Sequence, residues 1–187
     1  ISAELNTLNV KLEKIGYVNM IHMADLIMKR GDYSKFTIDT RKNIFKTIYY
    51  FSRKINVRYK TIIIDKRYTN NSRMLKQKLS YEINKMINEN EKYFKKFEQI
   101  VMYYDNGQET LSSIIDIIFS KYSNVVRKSN FDHTEKKLFQ VSDMLTVIDK
   151  YNYKYQNKLN FNKSEKYFFE LEEMKKIMKE VNKKRFM

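Results

Sequence analysis

The chain reads as an α/β protein in which a largely parallel sheet is packed by helices. Three observations predict this class. Segments with apolar residues at helical spacing alternate with short β-branched runs. Those runs end as continuous apolar stretches, as strands covered on both faces do. No internal repeat and no Gly-, Ser- or Pro-rich linker divides the 187 residues, so one domain is expected over 1–187.

The elements follow in order. Leu5, Leu8, Leu12 and Ile15 recur at helical spacing over Ala3 to Lys14, and Gly16 supplies a helix stop. His22 to Arg30 reads as a short helix or turn. Thr40 to Ile55 is amphipathic, with Ile44, Phe45, Ile48, Phe51 and Ile55 on the inner side. Val57 to Asp65 begins alternating and closes on Ile62-Ile63-Ile64, the signature of an inner strand. A long helix is expected over Asn71 to Phe97, through Leu75, Leu79, Ile83, Met86 and Ile87. Gln99 to Tyr104 is a second buried strand. A helix from Gln108 to Lys121 and a short strand at Asn124 to Lys128 follow. Lys137 to Tyr151 is helical and apolar almost all round, hence buried on several sides. One last helix, Ser164 to Asn182, is expected on the outside or against a partner.

Composition narrows the function. With no cysteine, neither a disulfide framework nor a thiolate metal site can form, which fits a reducing, cytoplasmic setting. No apolar run reaches the roughly 20 residues that span a bilayer, so no membrane partner is expected. The formal charge of +15 favours polyanions such as DNA or RNA. The plainer source of that charge is a composition rich in Lys, Asn, Ile and Tyr and free of Pro, as an AT-rich genome gives. Locally, only Lys175, Lys176, Lys179, Lys183, Lys184 and Arg185 form a markedly basic run. A solvated helix face explains that run as well as a binding arm does.

Carboxylates mark where chemistry is expected. Asp105 follows the strand ending in Tyr103-Tyr104 and opens the polar turn Asn106-Gly107-Gln108. In open α/β sheets ligands gather at such strand ends. The plainer role for Asp105 or Asn106 is to cap the next helix. Asp143 lies on the buried helix and shares a face with Gln140. A buried carboxylate costs several kcal/mol, roughly, unless it gains a cation or donors, so a metal ion or a Lys/Arg salt bridge is required. Asp65 ends the Ile62-Ile63-Ile64 run, either as a third ligand or as a turn residue before Lys66-Arg67. His22 and Asp25 sit within one helical turn. A lone histidine is more often structural than catalytic. Acidic residues at sheet ends in a basic protein match a two-metal phosphodiesterase, in which Mg²⁺ or Mn²⁺ activates water and the basic surface holds phosphates.

Tyr103-Tyr104-Asp105-Asn106-Gly107-Gln108, followed by Leu138-Phe139-Gln140-Val141-Ser142-Asp143, resembles the domain-of-unknown-function 3800 family. Ile21-His22-Met23-Ala24-Asp25-Leu26 and Ile64-Asp65-Lys66 are similar in order and spacing, so the resemblance spans 16–149 and leaves 150–187 as a C-terminal helical extension. It implies an RNase H-like (integrase-like) fold and a metal-dependent nuclease. Asp105, Asp143 and His22 would then be catalytic, and Asp105, Asp143 and Asp65 would hold the metal. Asn106, Gln108, Gln140 and Lys66 would support the site or bind substrate. The family's first strand, ending Asp-Glu-Ser-Gly, has no counterpart here. The acidic cluster is therefore expected to be incomplete, and the sheet to be finished by a missing N-terminal segment or a second copy. The alternatives are a non-catalytic nucleic-acid-binding or assembly module, and a structural partner with Asp143 salt-bridged.

Overall fold

A computed structural model describes residues 2–17, 19–65, 67, 71–104, 109–128 and 133–186. Among these residues 67% are helical. It divides into two compact units: the first joins Ile1–Thr61 to His133–Met187, and the second is Ile62–Asp132.

The secondary-structure elements of the first unit are all helices among its described residues, apart from one isolated bridge. It contains α1 (Ser2–Lys14), α2 (Met23–Met28), a 3₁₀ turn (Gly31–Lys35), α3 (Ile38–Lys54), α7 (His133–Gln156), α8 (Lys163–Phe168) and α9 (Leu171–Asn182). The expected apolar stripes meet in one core: Leu5, Leu8 and Leu12 from α1; Ile44, Phe45 and Ile48 from α3; Val141, Met144, Leu145 and Ile148 from α7. Met174, Ile177, Met178 and Val181 of α9 join the same core, so the C-terminal helix is no appendage.

Helix ends follow local chemistry. Gly16 takes the left-handed conformation at φ +76°, which L side chains adopt at a cost. Its N–H donates to Glu13 O and that of Tyr17 to Leu12 O, the paired bonds of a Schellman stop. The end of α7 is built the same way, with Lys158 at φ 52° and Leu159 N donating to Lys154 O. Thr37 caps α3 through Thr40 N, and Asn162 with Glu165 forms a full capping box on α8.

The second unit contains α4 (Ser72–Glu89), α5 (Glu91–Phe94), β1 (Ile100–Tyr103), α6 (Glu109–Phe119) and β2 (Val125–Lys128). β1 and β2 pair in parallel with Ile100 opposite Val125 and Val101 opposite Val126, and α6 makes the crossover. Its buried apolar core is Ile83 and Ile87 from α4 with Ile114 and Ile118 from α6.

This architecture overturns the expected fold class. Among the described residues an RNase H-like sheet flanked by helices is not formed: two short strands make an open sheet in a predominantly helical architecture. The Val57–Asp65 run forms no strand and pairs only through one bridge between Tyr59 and Arg185. Ile63 is 41% exposed, and an inner strand would bury it. The long helix expected over Asn71 to Phe97 breaks at Asn90, whose side-chain amide donates back to Met86 O.

Candidate functional site

Asp143 and His22 come together in the first unit. Asp143 Oδ2 accepts from Met23 N at 2.7 Å, so α7 supplies the anionic cap for α2. At the other end of α2, the buried Arg41 guanidinium donates from one nitrogen to Leu26 O (2.9 Å) and Ile27 O (3.1 Å). A carboxylate at the N-terminus and a cation at the C-terminus both oppose the dipole of this short helix. Burial raises the Asp143 pKa. The Met23 N–H and the neighbouring His22 pull it down, and Asp25 pushes it up again. His22 is exposed; its backbone N–H donates to the Tyr33 hydroxyl, which also accepts from Tyr17. The buried Tyr17 hydroxyl titrates well above the usual tyrosine range.

Other expected site residues fall elsewhere. Gln140 is fully buried on α7, and its Oε1 accepts no hydrogen bond. Asp65 belongs to the second unit, where Arg67 grips it through its backbone N–H and guanidinium. Asp105, Asn106, Gln108 and Lys66 lie outside the described residues. Among the described residues no group of three or more His, Asp or Glu side chains is arranged to hold a metal ion. The expectation of an RNase H-like metal-dependent nuclease is corrected on two grounds: among the described residues, neither the sheet that would carry such a centre nor the carboxylate cluster is formed.

A different assembly emerges where two distant basic stretches meet. One is Arg53 to Lys60, running off the C-terminus of α3. The other is Lys183-Lys184-Arg185, running off α9. They are joined backbone to backbone: Tyr59 N donates to Lys184 O (3.0 Å) and Phe186 N to Tyr59 O (3.1 Å). Arg58 donates to Lys183 O (3.2 Å), and Lys184 Nζ to Ile55 O (2.6 Å). Underneath, the buried Asp149 of α7 binds Arg185 and accepts from the Tyr59 hydroxyl at 3.5 Å. The Arg185 guanidinium lies over the Tyr59 ring, 5.1 Å from its centroid. Burial, reinforced by Asp149, pushes the Tyr59 pKa up to about 12.

This surface carries more cation than its own carboxylates neutralise. Partial burial lowers the Lys184 pKa, and the charges of Arg58 and Arg53 lower it further. Glu180 is shared between Lys183 (2.6 Å) and Arg53 (3.6 Å). The bonds from Arg58 and Lys184 to carbonyls use one donor each, out of five and three. Part of the charge serves local structure, since cations at helix C-termini offset the helix dipole. The convergence was not legible in the sequence because its halves lie about 125 positions apart. The available signal was a basic run beginning where each of two apolar-striped helices ends.

A cavity of about 520 Å³ lies elsewhere in the first unit, between α7, α8 and α9. Tyr151, Phe161, Phe169, Met174 and Met178 line it. No family model, no curated protein and no solved structure matches the chain. The resemblance to the domain-of-unknown-function 3800 family is therefore withdrawn, with the helical architecture as the structural reason. No described helix is long and apolar enough to cross a membrane.

Proposed function

We propose that the first unit binds a phosphate-rich polyanion, DNA or RNA, through the basic surface formed by Arg53, Arg58, Lys183 and Lys184. The observation that carries this reading is the convergence of two basic stretches onto one surface. Within the unit, 25 Lys and Arg face 13 Asp and Glu, whereas the second unit has 12 against 9. The excess is thus concentrated in one unit, where a uniform compositional bias would spread it. Binding of this kind draws on released counterions and needs no reaction centre.

The test is fluorescence anisotropy with labelled single-stranded and duplex oligonucleotides of about 20 nucleotides, titrated across salt. Three to four phosphate contacts predict a log K versus log salt slope of about −3. Substituting Arg58 and Lys184 together with Gln should reduce that slope by about 2. Absence of binding at about 50 mM salt, or a double variant that binds like the wild type, overturns the reading.

A further inference from the structure

We infer that Asp149 is a positioning residue for polyanion binding: it clasps the C-terminal tail to the Tyr59 segment and thereby assembles the two basic stretches into one surface. The inference rests on the reading above and adds a carboxylate with a role opposite to its charge.

Asp149 sits on α7, 3% exposed, beneath the junction. Its Oδ1 holds both halves, binding Arg185 from the tail and the Tyr59 hydroxyl from the segment after α3. Arg185 is itself oriented, since its Nε donates to Asn182 Oδ1 at 2.7 Å. Two backbone bonds, one on each side of Tyr59, then fix the register of tail against segment. Two bonds are few for a paired edge. The ion pair and the Arg185–Tyr59 stacking supply the remaining hold. Lys184 and Lys183 lie one and two residues from Arg185, so their positions follow from where that guanidinium is anchored. Released from the clasp, the tail would spread its charges over a larger volume and pay ordering entropy on binding.

Charge and positioning predict effects of opposite sign. Asp149→Asn removes a negative charge beside cations. Were Asp149 only a charge, the variant would bind an anion more tightly. As a clasp, its loss should weaken oligonucleotide binding about fivefold and reduce the salt slope by about 2, because Lys183 and Lys184 no longer act with Arg53 and Arg58. Glu180→Gln removes a negative charge from the same surface and releases Lys183 and Arg53 from it, while Asp149, Arg185 and Tyr59 keep their contacts, and it should tighten binding about twofold. Amide hydrogen exchange at Tyr59 and Phe186 should accelerate in Asp149→Asn and stay unchanged in Glu180→Gln.

The experiment measures all three proteins with the same labelled 20-nucleotide strand, roughly 50–300 mM salt. Weaker binding with a shallower slope for Asp149→Asn, alongside tighter binding for Glu180→Gln, supports the inference. Equal or tighter binding by Asp149→Asn overturns the positioning role and leaves the polyanion reading intact. A wild type that binds nothing overturns both. Should Asp149→Asn fail to fold, Arg185→Gln is compared with Lys179→Gln, which loses the same charge from the outer face of α9. Equal losses in that pair overturn the inference, and a larger loss for Arg185→Gln supports it.

Discussion

The two units solve the problem of burying apolar surface differently. In the first, stripes from α1, α3, α7 and α9 converge on one core, and polar side chains tie the helix ends: the half-buried Asp143 and the buried Arg41 on α2, the buried Asp149 beneath the tail. In the second, four isoleucines from two helices form the buried apolar core, while Tyr81, Phe97, Ile117 and the register partners Val101 and Val126 remain exposed. A two-stranded parallel sheet is a sparse support, since parallel sheets are ordinarily covered on both faces. The difference shows that polar side chains organise the structure where apolar packing is already sufficient. Where it is thin, they stay in local pairs such as Arg127 with Asp116 (2.6 Å) and Asp65 with Arg67.

The strongest way to break this comparison is to excavate each core. Ile148→Ala in the first unit, at 0% exposure, should cost about 3–4 kcal/mol. Ile114→Ala in the second should cost about 2 kcal/mol, because a small, half-open core relaxes around the gap. Chemical denaturation with hydrogen exchange checks both. Ile114→Ala is expected to lower protection in α4 and α6 while α3 and α7 keep theirs. Uniform loss across the chain would show that the units unfold as one.

A smaller effect sharpens the polar side of the contrast. Arg41→Met keeps most of the buried volume but leaves the Leu26 and Ile27 carbonyls without their cation. The expected loss is about 2 kcal/mol, read from thermal melts and from faster exchange in α2. A neutral result would mean that water satisfies those carbonyls equally well.

The smallest effect depends on pH. Burial raises the Asp143 pKa in the folded state, so the folded state binds the proton more tightly than the unfolded chain. The stability this confers is fully present below the unfolded carboxylate range and is lost as pH rises through the raised value. Asp143→Asn keeps an acceptor for Met23 N and abolishes the titration. The melting temperature of the variant relative to wild type should therefore climb as pH rises through the carboxylate range and then level off. A flat difference across that range would show that the carboxylate is not desolvated.

Much of the element order was legible because helical periodicity is written locally. Leu5-Leu8-Leu12, Ile44-Ile48-Phe51 and Val141-Leu145-Ile148 each announce a face within a few turns, and the observed α1, α3 and α7 carry those faces inward. β1 and β2 stand where β-branched content put them. What was not legible was pairing. Ile62-Ile63-Ile64 has strand composition, but a strand exists only if a neighbour accepts its ladder, and that is a property of distant residues. The fold class failed at that step. Asp143 illustrates the same limit at the site: its need for a partner was readable from its apolar helix, yet the backbone N–H that reaches it lies 120 positions away. The basic run at Lys183 to Arg185 was visible as charge, while its union with Arg58 and Tyr59 required the clasp.

The first unit is discontinuous: α3 is completed by α7 and α9 only after the 71 residues of Ile62–Asp132 have been made. During vectorial synthesis the faces of α3 that meet α7 and α9 must wait for about 120 further residues. At ribosomal rates that is on the order of ten seconds. Throughout that interval Ile44, Phe45 and Ile48 lack part of their cover, and the nascent N-terminal helices are natural clients for a chaperone until the last helix arrives.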